Sequence, residues 1–378
     1  MKVLLVTVTA GNGHNACAGA LEECLRARGH TVMVADIFKQ INTALYTLVD
    51  KGYLLSTKYT PSQFGLAYRS AEKNEFLHRS MLGILRSELL RDLFFERTAA
   101  FEPDAFICTH VFASLIIDEM LGPGGLRALH AGIVTDYTMH PFWDSVRNID
   151  YIVLASEFLR HRAEKRGIDP RKLLGCGIPV RARFTEEMDK AEACRLLDID
   201  AECRTVLFMG GGMGFGNMLP AVKGLAASGM PVQAMCVCGN NEKLARRLRR
   251  EAFSFPVKVY GFVNNVDVLM SAADCVVTKP GGLTVTEALA KRKPLILHTP
   301  IPGVEDENME FLVNSGLALR ATPLMPVEEI VWLLFSVPER LEMMQRAIDA
   351  FISPGAADRL CDALEDGSAG KRRERRLR

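Results

Sequence analysis

The stretch Thr278-Lys279-Pro280-Gly281-Gly282-Leu283-Thr284-Val285-Thr286-Glu287-Ala288-Leu289-Ala290 has the residue types of an anion site. The apolar run Asp274-Cys275-Val276-Val277 predicts a strand before it, and Thr284 to Ala290 predicts a helix after it. Between them the glycines let the main chain come close to a ligand, and the unpaired N–H groups of a first helical turn face a phosphate. Glu287 is expected within about the first turn, where its carboxylate can accept bonds from two vicinal hydroxyls, as on a ribose. The same residues also fit a plain tight turn whose Glu favours the helix N-terminus.

A second group of candidates lies near the start. The apolar run from Val3 to Val8 ends in Thr9-Ala10-Gly11-Asn12-Gly13-His14, and a helix is expected to follow. Gly11-Asn12-Gly13-His14-Asn15-Ala16 lacks the third glycine of a dinucleotide fingerprint and carries His14 instead. A histidine at the mouth of a strand–helix turn stands where the carboxyl ends of strands open onto ligands. The strand Ala131 to Tyr137 ends in a third group, Asp136, His140, Trp143 and Asp144, where a His or Asp base could hold or deprotonate an acceptor hydroxyl. The spacing of these histidines and aspartates matches no ordinary zinc pattern, so no metal is expected. The loop Thr299 to Asn308 brings three acids, Glu305, Asp306 and Glu307, to a helix start. They suit the helix dipole, and equally the hydroxyls of a sugar.

Strands that carry such turns need a parallel sheet covered on both faces, and the strand runs are nearly continuous apolar segments. Strands are expected at 3–8, 31–36, 105–110, 131–137 and 151–156, each followed by a turn and most by a helix. Gly175-Cys176-Gly177-Ile178-Pro179-Val180 reads as a hinge, and the pattern restarts with strands at 205–209, 232–238, 257–260, 274–277 and 294–298. The expected fold class is α/β, with two doubly wound Rossmann-like domains facing a cleft and ligands at the strand carboxyl ends. The expected domains are residues 1–180, residues 181–355, and a segment 356–378 made of a helix end and a basic, disordered tail.

Composition narrows the partners. The chain has 378 residues with Lys+Arg 46 against Asp+Glu 45, a balance that calls for no nucleic acid. The 10 cysteines are scattered with no Cys-x-x-Cys pair, which fits buried thiols in a reducing cytoplasm. No charged region precedes the first strand and no apolar run of about 20 residues occurs, so neither a signal peptide nor a spanning helix is expected. Residues 41–100 mix aromatic, leucine and basic side chains, a pattern that fits an anionic membrane surface as well as ordinary helices packed on a sheet.

Over residues 1–350 the chain resembles the glycosyltransferases that make monogalactosyl- and glucosyl-diacylglycerol, a group of family 28 with the GT-B fold. Three motifs carry the resemblance: Thr9 to Asn15; Val134-Thr135-Asp136-Tyr137 with His140 and Trp143; and Lys279 to Thr284 through Glu287-Ala288 to Pro302-Gly303, Glu305 and Asn308. The resemblance implies an inverting transfer of a hexose from a UDP-sugar to a lipid hydroxyl, with no cofactor and no bound metal, by a cytoplasmic enzyme peripheral to the inner face of the cell membrane. His14 and Asp136 would be catalytic, with Gly13, His140 and Trp143 on the acceptor side. Gly212, Gly214, Gly281, Gly282, Leu283 and Thr284 would hold the diphosphate. Phe262 and Val263 would present main chain to the uracil, Glu287 would bind the ribose, and Glu305 and Asn308 would lie near the hexose. One departure stands out: the family pattern Pro-Gly-Gln-Glu is here Pro302-Gly303-Val304-Glu305, and Val304 cannot hydrogen-bond a hydroxyl, which leaves the donor sugar open. Two other readings share the fold: a transferase or epimerase acting on UDP-N-acetylglucosamine, and a nucleotide-sugar sensor without turnover.

Overall fold

The computed structural model describes residues 1–9, 12–42, 75–122, 125–211 and 218–376. The chain divides into two compact units, Met1–Arg181 with Ser353–Arg378, and Ala182–Ile352.

The first unit is built on a six-stranded parallel sheet. Its strands are β1 (Lys2–Thr7), β2 (Thr31–Asp36), β3 (Ala105–Cys108), β4 (Leu129–Ile133), β5 (Tyr151–Val153) and β6 (Leu173–Leu174), in the order β2-β1-β3-β4-β5-β6. Val3, Leu4, Leu5 and Val6 are wholly buried, as a strand covered on both faces requires. Each such side chain contributes roughly 1.5–3 kcal/mol over its exposed state. Helix α1 (Gly13–Ala27) lays Cys17, Ala18, Leu21 and Leu25 on the sheet and ends where Gly29 takes φ 79°. Among the described residues of this unit, helices α2 (Ile37–Ile41), α3 (Glu75–Leu85), α4 (Glu88–Thr98), α5 (Val111–Met120) and α6 (Arg160–Lys165) follow. Because the order reverses at β1, the loops after β1 and β3 flank a topological switch point.

The second unit repeats the plan. Its strands are β7 (Arg204–Met209), β8 (Val232–Val237), β9 (Val257–Tyr260), β10 (Cys275–Thr278), β11 (Leu295–Leu297) and β12 (Ala318–Arg320), in the order β12-β11-β10-β7-β8-β9. The helices are α7 (Lys190–Leu197), α8 (Met218–Ala227), α9 (Glu242–Arg250), α10 (Val266–Ala272), α11 (Gly282–Ala290), α12 (Val304–Asn314), α13 (Val327–Ser336) and α14 (Pro338–Phe351). Here the switch point falls between β7 and β10, so the loops after those strands are neighbours.

The C-terminal segment departs from expectation. Residues 356–378 read as a helix end and a disordered tail, but α15 (Ala356–Arg376) is continuous and packs in the first unit. Leu360, Cys361 and Leu364 are buried at helical spacing. Arg28, past the end of α1, pairs with Asp358 at 2.8 Å and Asp362 at 2.6 Å, and His30 with Glu365 at 2.9 Å. Gly367 lets α15 pass the sheet, since a Cβ there would meet the Tyr151 hydroxyl at 2.8 Å.

Candidate functional site

His14 is the second residue of α1, half-buried at the switch point of the first sheet. Its ring is fixed by loops from two other elements. Nδ1 lies 2.6 Å from the main-chain oxygen of Thr109, after β3, and 3.2 Å from Oγ1 of Thr135, after β4. A carbonyl oxygen only accepts, so Nδ1 carries the proton and the neutral ring keeps its lone pair on Nε2. Burial lowers the pKa of His14, and the negative charge of Asp136 partly opposes it. The result is a neutral imidazole with a basic nitrogen in a fixed orientation. The loop leading to it is anchored as well: Asp36, at the end of β2, accepts from the N–H and the hydroxyl of Thr9, both at 2.6 Å. In a dinucleotide fold an acid at such a strand end reads a ribose; here it holds the loop. Gly13 opens α1, while Ala10 and Gly11 lie outside the described residues.

Two more histidines gather beside His14. His110 meets it edge-on, with ring centroids 4.7 Å apart, and Phe112 stands between His110 and His140 at 4.6 and 6.3 Å. Each caps the segment that follows it, α5 after His110 and a short turn after His140: Nδ1 of His110 accepts from the Phe112 N–H at 3.0 Å, and Nδ1 of His140 from the Phe142 N–H at 3.1 Å. Burial, with help from His14 and His140, holds His110 well below the usual histidine range. Sequence reading missed Thr109, His110 and Thr135 as supports of His14. They sit at strand ends, but only the strand order brings those ends together.

Strand β4 stops at Ile133, earlier than expected, which leaves Thr135 and Asp136 in the turn beyond it. Trp143, expected on the acceptor side, is buried instead. Its ring covers Gly132 of β4, where an added Cβ would lie 2.3 Å from it. Asp144 pairs with Arg166 at 2.8 Å.

In the second unit, Gly281 is the N-cap of α11, with Gly282, Leu283 and Thr284 as its first three residues. The first intrahelical bond is made by the N–H of Val285 to Gly281, so the three preceding N–H groups have no partner within the helix. They carry the positive end of the helix dipole. Glu287 sits in the second turn, not the first, because the helix opens two residues before the expected Thr284. The loop after β7 contributes Gly211 at φ 67°; Gly212 and Gly214 lie outside the described residues. Phe262 is exposed and Val263 half-buried just past β9, at the same end of the sheet.

Glu305 and Asn308, expected near a hexose, are buried on α12 and grip the turn itself. Glu305 is ion-paired with Lys279 and accepts from the Ile301 N–H at 2.8 Å, while Asn308 donates to the Pro280 carbonyl at 3.0 Å. Among the described residues no group of three or more His, Cys, Asp or Glu could hold a metal ion.

Residues 14–180 match the family model of monogalactosyldiacylglycerol (MGDG) synthase, and residues 205–322 that of the glycosyltransferase family 28 C-terminal domain. The processive diacylglycerol beta-glucosyltransferase of Bacillus cytotoxicus is 27% identical, over 96% of this chain and 93% of its own. Among solved structures, CalG4, the calicheamicin glycosyltransferase, superposes with TM-score 0.59 at 15% identity, covering 98% of each chain. The UDP-GlcNAc 2-epimerase of Neisseria meningitidis, bound to UDP-GlcNAc, also gives 0.59 at 15% identity, over 97% of this chain and 100% of its own. The GT-B fold is therefore common to transferase and epimerase, and the sequence matches separate them. They give the first unit a monogalactosyldiacylglycerol synthase domain and the second a glycosyltransferase family 28 C-terminal domain, in a chain similar along nearly its whole length to the processive diacylglycerol beta-glucosyltransferases.

Proposed function

We propose that the protein transfers a hexose from a UDP-sugar to the hydroxyl of a lipid, diacylglycerol, at a membrane surface, with inversion at the anomeric carbon. The observation that carries this reading is that each sheet presents its own chemical group at its own switch point. The first offers a neutral histidine with Nε2 available as base, and the second an open helix N-terminus behind a glycine turn. His14 would take the acceptor proton as the hydroxyl oxygen attacks the anomeric carbon, and Asp136 would stabilise the imidazolium. The bond from that carbon to the β-phosphate breaks, its electron pair stays on phosphate, and the N–H groups of Gly282, Leu283 and Thr284 receive the charge. Phe262, Val263 and Glu287 would hold the nucleoside, and His140 would lie beside the acceptor. No residue in this scheme calls for a metal.

Membrane docking belongs to the same reading. Among the described residues no helix is long and apolar enough to cross a membrane. Helices α3 and α4 expose Phe76, Ile84, Leu89 and Phe95, four large apolar side chains on two successive helices, with Arg79 exposed among them. Residues 43–74 of the segment expected at the bilayer lie outside the described residues. The inner face of the cell membrane, where lipids are anionic, is the proposed location.

The test offers UDP-glucose, UDP-galactose and UDP-N-acetylglucosamine in turn with diacylglycerol liposomes and identifies glycolipid products by mass. A hexosyl-diacylglycerol is expected, and its absence with all three donors removes the proposal. Val304, where the family pattern carries an amide, makes the donor preference the informative result. Incubation without lipid, followed by NMR of the sugar, detects the epimerase alternative. Sedimentation of the protein away from anionic vesicles in a low-salt flotation gradient would remove the docking claim.

A further inference from the structure

Lys279 is the cation of the glycine turn that opens α11, and its side chain folds back over that turn. An added Cβ on Gly281 would lie 3.2 Å from Nζ, and one on Gly211 would lie 3.4 Å from Cε. The ammonium group therefore covers the meeting point of the loops after β7 and β10. The Lys279 side chain is only 18% exposed. An ammonium has three donors; one goes to Glu305, and among the described residues no other acceptor takes the remaining two. Both oxygens of Glu305 are engaged in the protein, one by Lys279 and the other by the Ile301 N–H at 2.8 Å. One helical position group further on, Asn308 pins the Pro280 carbonyl. Helix α12 thus grips the turn from two residues three positions apart, once by charge and once by an amide.

We propose that Lys279 binds the diphosphate of the donor and that Glu305 is a positioning residue that holds Lys279 over it, not an acceptor for the hexose hydroxyls. The assignment rests on the donor site proposed above. The first turn of α11 brings only partial charge, about half an elementary charge. The departing nucleoside diphosphate gains a full negative charge when the bond to the anomeric carbon breaks. A fixed ammonium with two donors to spare among the described residues meets that charge without reorganising, which is the condition for electrostatic stabilisation of a leaving group. A lysine on a flexible stem would otherwise swing into solvent, and a buried carboxylate with a second bond to main chain prevents this. Glu305 would then act on every ligand that carries the diphosphate, with or without a sugar.

That last consequence gives the test. Calorimetric titration of the full chain with uridine, UMP, UDP and UDP-glucose would compare wild type with Lys279→Met, Lys279→Arg, Glu305→Gln and the double variant Lys279→Met/Glu305→Gln. Loss of a charge-assisted bond predicts UDP binding weaker by about 10- to 100-fold in Lys279→Met, with uridine binding unchanged. Glu305→Gln is expected to weaken UDP, which has no hexose, and the double variant to bind UDP no more weakly than Lys279→Met alone. Lys279→Arg should retain part of the affinity. Because the double variant leaves no unpaired buried charge, a melting temperature near that of wild type separates lost binding from lost folding. Wild-type UDP affinity in Glu305→Gln, with loss confined to UDP-glucose, would overturn the assignment in favour of a hexose contact. Unchanged UDP affinity in Lys279→Met would overturn it directly. A wild-type protein that takes up no UDP would instead overturn the donor site, and the assignment with it.

Discussion

Nδ1 of His14 and the main-chain oxygen of Thr109 lie 2.6 Å apart, and this one bond decides the chemistry of the first sheet's site. It commits the ring proton to Nδ1 and leaves Nε2 as an acceptor. In the mechanism proposed above, replacing His14 by Ala removes the base and should lower the turnover number by about 10²- to 10⁴-fold. UDP binding should be unchanged, because the phosphate cradle proposed above is made by Gly281 to Thr284 in the other unit. Parallel turnover and calorimetric measurements check this. A variant with normal turnover would show that another group takes the proton.

The acid limb of the rate profile follows from the same residue. A base works only while unprotonated, so activity falls as pH drops through the pKa of His14. Burial lowers that pKa, and Asp136 raises it again in part. The limb in kcat/KM is therefore expected below the ordinary histidine value of about 6.5. Asp136→Asn removes the opposing charge. The limb should then move to still lower pH while the plateau drops, since the imidazolium formed in the transition state loses its partner. A limb that moves upward would mean that Asp136 does not act on His14.

Stability should respond to acid in the same direction. His14, His110 and His298 all have pKa values lowered by burial, so each binds its proton more readily in the unfolded chain. Wherever the unfolded state holds more protons, stability rises with pH. The contribution of these groups is thus complete above about 6.5, the unfolded value, and is lost progressively below it, down to each folded pKa. Urea midpoints measured from pH 7.5 down to about pH 5 should fall. In a His110→Gln variant, where an amide can keep the cap on Phe112, the fall should be shallower.

Much of this arrangement was legible in the chain itself, and the reason is local. Apolar runs such as Val3 to Val8 and Thr205 to Met209 are too short for a helix of ordinary length and fit buried parallel strands, and glycines after them mark the turns. Those signals need no knowledge of distant residues. What escaped was set at long range. Thr109 and Thr135 support His14 only because β3 and β4 lie next to β1 in space. The family resemblance sets Glu305 and Asn308 near a hexose, but their bonds to Lys279 and Pro280 depend on how the helix at Val304 packs on the turn after β10, which no local pattern displays. The terminal helix was missed because its buried face is short, Leu360, Cys361 and Leu364, and its polar face resembles a solvated tail until Arg28 and His30 are seen opposite.

Trp143 and Gly132 test the boundary between site and scaffold. Trp143 shares a motif with Asp136 and His140, but its ring packs on β4 with no room for a side chain at Gly132. A Cβ there would fall 2.3 Å from the indole, and the nearby Ile149 at 3.0 Å leaves it nowhere to go. Gly132→Val should therefore destabilise the protein by about 1–3 kcal/mol, the usual penalty for overpacking a core. Trp143→Phe should create a smaller loss by leaving space over the strand. The protein has only one other tryptophan, Trp332, and that one is half exposed, so Trp143 emission reports the packing directly. Gly132→Val should shift the emission to longer wavelength and lower the denaturant midpoint. If Trp143→Phe instead kept full stability and lost affinity for the lipid, the indole would have to reach the acceptor, and the buried position on Gly132 would not be its working state.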